Sequence, residues 1–530
     1  MKRSLRVLKR ASALFFLSTL LLIGLIAGPC PATSLTILHT NDTHSHLLPF
    51  SYPVVIDPCS PSAALPRRTE IGGIARRAAL VKQIRGELKA RGIPVWLVDA
   101  GDFSDGTFFS IEYRGEADVA AMNAAGYDFA TLGNHEFISS LAQTRKLISL
   151  ARYPILCANA LLKASRGPLA RLYQVEEVGP VRVGIFGLVT VETRSYPAAK
   201  EGVIITDPMR TASKIVAKLR SEKADIIVLI SHCGEEMDKR LAAMVPGIDV
   251  IVGGHSHSRL PSGEFIPRTG DLSADEVSGT VIVQAYQWGG ELGRCDLLFQ
   301  KDHAGAWHVD RYRTRLIPIT AAIEPDAGVA AVVDHYWKPI ASRYAEVIGE
   351  AADDFSSRCD DWAEYNLVAD AVRETFGTEI EIENLGGVRS PLLKGTITRG
   401  DLVALDPFAN TVVTFKGTGL QLRKILQRYA PAVSGVRYRL ENGELVEALV
   451  NGEPLQDDCR YTGATNSHFA GRALKRARVR FQDTGKQRLE VLINYIRQKG
   501  TIHPAYDGRR TVIGASPLKA RERRANKSLR

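Results

Sequence analysis

Residues 35–46 read Leu-Thr-Ile-Leu-His-Thr-Asn-Asp-Thr-His-Ser-His. An apolar, β-rich run ends there in a polar burst of carboxylate and imidazole side chains, groups that ligate metals. The same event recurs downstream. Gly101-Asp102 follows Val95-Trp-Leu-Val, Gly133-Asn134-His135-Glu136 follows Phe129-Ala-Thr-Leu, Ser231-His232 follows Ile226-Ile-Val-Leu-Ile, and Gly253-Gly254-His255-Ser256-His257 follows Val250-Ile-Val. One such cluster is a weak signal, since a lone His-x-His is commonly a surface loop. A series of them, each after a strand, implies a site assembled where loops converge beyond the carboxyl ends of a sheet.

Around these motifs, short β-rich runs alternate with helical patterns from residue 34 to about 315, including runs at Val181-Arg-Val-Gly-Ile-Phe and Val281-Ile-Val. Their near-continuous apolar character implies sheets covered on both faces, an α/β arrangement. Helices are expected from about Gly73 to Ala90 and from Asp207-Pro208, as N-cap and first helical residue. The proline-rich stretch 50–68 reads as a surface insertion. At 530 residues the chain is too long for one ordinary core. The pattern divides it into a first domain at 33–320, a linker helix at 321–350 and a smaller α/β domain at 351–515, dense in glycine turns.

The ends have their own logic. Lys2, Arg3, Arg6, Lys9 and Arg10 precede an apolar stretch from Ala11 to Gly28 and then Pro-Cys-Pro-Ala-Thr. That order predicts a signal peptide at 1–32 and export to a periplasmic or extracellular space, an uncleaved anchor being the alternative. The formal charge of +10 hints at nucleic-acid binding. However, it is accounted for by the leader and by the tail from Lys519 to Arg530, and the chain between them is near neutral. No nucleic-acid partner is therefore expected, nor a stable membrane partner once the leader is removed. Residues 516–530 read as a basic, disordered tail. Beyond Cys30, cysteines 59, 157, 233, 295, 359 and 459 lack zinc-knuckle spacing, and Cys157 and Cys233 fit small buried hydrophobes.

Hydrolysing a phosphate ester at neutral pH requires a hydroxide nucleophile, neutralisation of oxygen charge and help for the leaving group. Two divalent ions supply the first two when a carboxylate bridges them. Asp42, His44, Asp102, Asn134, His232, His255 and His257 are a suitable ligand set. These motifs, from Leu38-His-Thr-Asn-Asp-Thr-His-Ser-His46 to Gly253-Gly-His-Ser-His257, resemble the calcineurin-like metallophosphoesterases and, within them, the secreted 5′-nucleotidases and UDP-sugar hydrolases. The resemblance implies an αββα sandwich for the first domain. It also implies that Asp42, His44 and His257 hold one metal, that Asn134, His232 and His255 hold the other, and that Asp102 bridges them. Sites of His, Asp and Asn donors accept zinc, manganese, iron or cobalt, so the sequence leaves the metal's identity open. His135 would contact phosphate and assist the leaving oxygen.

One departure is specific. The aspartate that normally follows Gly-Asn-His-Glu-Phe and orients the histidine is Ile138 here. Gly101-Asp102-Phe-Ser-Asp105 resembles the wider superfamily's Gly-Asp-x-x-Asp, which nominates Asp105 as the replacement partner of His135; a plain turn carboxylate in Ser-Asp-Gly is the alternative. His46 reads as a loop side chain or substrate-facing donor, His39 as buried and Glu136 as structural.

In the second half, Asn384-Leu-Gly-Gly-Val-Arg389 and Leu405-Asp-Pro-Phe408 resemble the substrate domain of 5′-nucleotidases. Asn384 and Arg389 would grip substrate and Phe408 would stack on a base, against the alternative of a tight turn with a surface arginine and a core phenylalanine. His468 falls at a second stacking slot. Asp360 replaces an expected phosphate-binding arginine, with Arg358 two residues away, and Leu474 an expected acid. The reading is an exported, dinuclear-metal phosphoesterase that cleaves small phosphate esters, nucleotides foremost, by metal-activated hydroxide attack. A sulfate-thioester hydrolase of the same superfamily and a non-catalytic ligand-binding descendant are the alternatives.

Overall fold

Two six-stranded sheets face each other in the first part of the chain. The computed structural model describes residues 33–52, 68–267, 279–358 and 361–514. The expected leader, most of the 50–68 insertion, Asp360, the 516–530 tail and cysteines 30, 59 and 359 lie outside the described residues. One sheet runs Trp307–Pro318, Glu291–Lys301, Thr33–Thr40, Val95–Asp99, Phe129–Thr131, Ile155–Leu156, its last four strands parallel. The other runs Glu264–Pro267, Gly279–Val283, Val250–Gly253, Ile226–His232, Val181–Val189, Tyr173–Val178, with a parallel centre.

Strand periodicity explains the layering. In Ile226–His232, Ile226, Val228 and Ile230 point into the core between the sheets, with Leu35, Ile37, Val98, Val183 and Val252. Ile227 and Leu229 point the other way, against Ala212, Ile215 and Leu219 of helix Pro208–Ser221. Leu38 and Leu97 meet Ile74, Ala78 and Val81 of helix Ile74–Lys89 on the outer face of the first sheet. Each fully buried Ile, Leu or Val contributes roughly 1.5–3 kcal/mol over an exposed one, and using both faces yields the αββα sandwich. Asp207 caps its helix as expected, its side chain accepting from Arg210 N.

The expected linker helix at 321–350 is shorter and interrupted. It spans Ala327–Trp337, and a second turn covers Ala341–Tyr344. Between them, Pro339 has no N–H to donate and its ring opposes continuation. Strand Val347–Ala351 then begins the second sheet system, pairing with Gly395–Thr398 and Thr501–Ile502. Beyond it, a five-stranded sheet runs Ala432–Ser434, Ile380–Glu383, Arg460–Asn466, Thr411–Thr418, Phe481–Gln487. Cys157, Cys233 and Cys295 are buried free thiols. No helix among the described residues is long and apolar enough to cross a membrane.

Candidate metal centre and substrate loops

All the motif loops of the first domain emerge at one end of the facing sheets, because the strands that precede them are parallel within each sheet. Asp42, His44, Asp102, Asp105, His255 and His257 all adopt left-handed backbone conformations. Such conformations cost roughly 1–3 kcal/mol each in non-glycine residues and gather where function requires them. Gly133 allows the closest approach: a Cβ there would lie 2.0 Å from Asp102 Oδ1.

The side chains converge in two adjoining groups, Asp42 with His44 and His257, and Asp102 with His232 and His255. Within each, the candidate ligand atoms lie within 4.8 Å of one another. His44 Nε2 is 3.2 Å from His257 Nε2 and 3.9 Å from Asp102 Oδ2, while His257 Nε2 is 3.3 Å from Asp42 Oδ1. His232 Nε2 is 3.1 Å from Asp102 Oδ2.

Backbone carbonyls decide which ring nitrogens face inward. His44 Nδ1 lies 2.7 Å from Asp105 O, and His232 Nδ1 lies 2.7 Å from Ala100 O. With Nδ1 donating to a carbonyl, each ring turns its Nε2 toward the carboxylates, a position that calls for a proton or a metal cation on that nitrogen. Asn134 Oδ1 is buried without a hydrogen-bond partner, and the buried His232 Nε2 faces the Asp102 carboxylate. Asn134 is held from behind, its Nδ2 donating to Tyr196 Oη at 2.7 Å. Burial pulls the His232 imidazole down, yet Asp102 and Asp42 carry it up to about 10. Burial raises Asp102, but His232 and His135 outweigh it and hold the carboxyl well below the usual range. These residues fit divalent metal ions as oxygen and imidazole donors without thiolate.

Around this centre, Glu136 is structural. Its carboxylate accepts from the backbone N–H groups of Asp102, Ser104 and Gly133 and from Ser104 Oγ, which staples two motif loops together. His135 projects Nε2 to 3.8 Å from Asp102 Oδ2, and its Nδ1 sits 2.6 Å from Asp105 Oδ2. His46 is stacked on Trp288 with ring centroids 4.6 Å apart. His39 is fully buried, which depresses it to about 3.

Arg389 reaches the centre from the second half of the chain, with Nη2 3.1 Å from His44 Nε2. Asn384, Phe408 and His468 stand at one end of the five-stranded sheet. Ile380–Glu383 and Arg460–Asn466 run parallel and lead into Asn384 and His468, and antiparallel Thr411–Thr418 begins beside Asn466, just after Phe408. Phe408 is half-buried and His468 exposed. Leu474 is wholly buried in the core and offers no charge to this end. Sequence reading missed Tyr196 and the buried Arg488, which sit in no motif and are brought to the site only by the fold.

Comparisons agree with this geometry. Residues 35–259 match the calcineurin-like phosphoesterase family and residues 347–474 the 5′-nucleotidase C-terminal domain. Human 5′-nucleotidase is 31% identical over 554 residues, covering 92% of this chain and 93% of that protein. The structure of a 5′-nucleotidase precursor from Thermus thermophilus superposes with a TM-score of 0.79 at 28% identity, over 91% of this chain and all of that one. A Thermus thermophilus sulfate thiohydrolase shares the fold, with a TM-score of 0.77 at 22% identity over 91% of this chain and 97% of that one. The chain belongs to the 5′-nucleotidase family and is a metal-dependent phosphoesterase.

Proposed function

We propose that this chain is an exported enzyme that hydrolyses nucleotides at a dinuclear metal centre. The observation that carries the reading is Arg389 Nη2 at 3.1 Å from His44 Nε2, a planar cation suited to phosphate beside the converging metal ligands. Asp42, His44 and His257 would hold one divalent ion, Asn134, His232 and His255 the other, with Asp102 shared. When bound, such ions supply Lewis acidity that polarises the phosphoryl group and makes water nucleophilic near neutral pH.

The chain's own residues do the rest. Arg389 binds phosphate oxygens and sets the phosphorus before the ligand cluster. His135, its Nδ1 anchored on Asp105, presents Nε2 to the leaving oxygen as a proton or hydrogen-bond donor. Asn384 binds the nucleoside, and Phe408 and His468 offer flat faces to the base. The signal-like leader supports export, and the nucleotide substrate is carried over from relatives named 5′-nucleotidase.

The test is metal analysis of the purified protein with an assay on 5′-nucleotides, nucleotide sugars, an alkyl phosphate and a sulfate thioester. Two metals per chain and highest kcat/KM on a nucleotide are expected. Bound metals without turnover would instead mark a binding protein, and preference for the thioester a different hydrolase.

A further inference from the structure

Arg488 is wholly buried, although a guanidinium belongs in water unless its donors are satisfied. It opens helix Arg488–Lys499, its own N–H donating to Asn410 O at 2.9 Å. Its Nε donates to Asp406 Oδ2 at 2.7 Å and Nη2 to Asp406 Oδ1 at 2.6 Å, a bidentate fork. Nη1 donates to Glu383 Oε2 at 2.6 Å and Nη2 to Gly387 O at 2.8 Å. The network continues from Glu383. Its Oε1 accepts from Asn466 Nδ2 at 2.7 Å, the same Nδ2 donates to Asn384 Oδ1 at 2.7 Å, and Asn466 Oδ1 caps the turn at Ser467–Phe469.

Glu383 precedes Asn384, Gly387 lies two residues before Arg389, Asp406 two before Phe408, and Asn466 two before His468. One guanidinium thus ties together the loops that carry Asn384, Arg389 and Phe408, and through Glu383 and Asn466 the loop that carries His468. Gly387 is part of the fit, because a Cβ there would lie 2.3 Å from Glu383 Oε1. Packing alone does not require so many buried charges, and an apolar cluster of similar volume would serve stability as well.

We infer that Arg488 is a positioning residue that sets the mutual register of the 384–389, 406–408 and 466–468 loops and so determines preference for nucleotides over simpler phosphate esters. This rests on the assignment of those loops to the nucleotide pocket. Arg488 does not touch substrate; it acts through Glu383, Asp406 and Gly387.

The experiment compares full-length, metal-loaded wild type, Arg488→Met, Arg488→Lys and Phe408→Ala, with kcat and KM on AMP and on an alkyl phosphate. Arg488→Met is expected to lower the AMP-to-alkyl-phosphate ratio of kcat/KM by about tenfold or more, the scale of a small misplacement of binding groups. Metal content should stay unchanged, and Arg488→Lys should restore the ratio in part. Arg488→Lys alone carries the test if the Met variant does not fold, since an ammonium keeps the charge but cannot fork onto Asp406 while reaching Glu383. An unchanged ratio in the folded Arg488 variants, with Phe408→Ala lowering it, leaves Arg488 a stabilising residue only and overturns the inference. An unchanged ratio in Phe408→Ala overturns the pocket assignment, and the inference falls with it.

Discussion

Asp105 holds His135 through its side chain, Oδ2 to Nδ1 at 2.6 Å, and the same residue's backbone carbonyl faces His44 Nδ1 at 2.7 Å. One left-handed aspartate therefore touches His135, the proposed leaving-group donor, and a candidate metal ligand by separable atoms. Ile138 offers no carboxylate for that purpose. Asp105→Asn removes the charge and keeps the carbonyl, so kcat should fall by ~10–100-fold with metal content unchanged. Elemental analysis beside steady-state kinetics checks it, and full turnover in the variant would reduce Asp105 to a turn residue.

Tyr196 makes a different kind of support. Its hydroxyl accepts from Asn134 Nδ2, which leaves the buried, unpartnered Asn134 Oδ1 as the atom available to a candidate metal. In Tyr196→Phe the amide loses the bond that selects its orientation. Metal should then leave the site more readily, on the order of 10-fold in affinity. Metal retention after dialysis against a graded chelator reads this directly, and retention equal to wild type would show that the amide needs no such restraint.

The first domain and its candidate ligands are legible because strand ends announce themselves: an apolar run stops, and Asp42, Asp102, Asn134, His232 or His255 follows. Spacing in sequence then maps simply onto a shared sheet edge. The second half resists the same treatment. Arg488 looks like any surface arginine at a helix start, and only the three-dimensional meeting of Glu383, Gly387 and Asp406 reveals it as buried. Tyr196 escapes for the same reason. The linker reads as too long because its periodic pattern runs through Pro339, whose effect on the backbone divides it.

Metal removal should have a stability signature as well as a catalytic one. Asp42, Asp102, His44 and His232 are buried together, so an ion that binds the folded site and not the unfolded chain stabilises by about 3 kcal/mol at a hundredfold excess over its Kd. Chelation should abolish turnover and lower the melting temperature, and divalent metal should restore both. Activity that survives exhaustive chelation would count against the metal assignment of these residues.

Glu381 gives the chain a pH dependence remote from the metal centre. Strand periodicity puts it on the same face as Glu383, but both of its carboxylate oxygens are buried without a hydrogen-bond partner. Burial, reinforced by the neighbouring Glu383, raises its pKa well above the ordinary 4.5. The folded chain thus keeps a proton that the unfolded chain gives up, and where the folded state binds more protons stability falls as pH rises. The loss begins above the ordinary value and continues until the folded group itself ionises. Glu381→Gln carries no proton to lose, so its melting temperature should match wild type near about pH 4 and exceed it progressively toward about pH 8. Parallel melting curves for the two proteins across that range would mean that Glu381 is not held neutral in the fold.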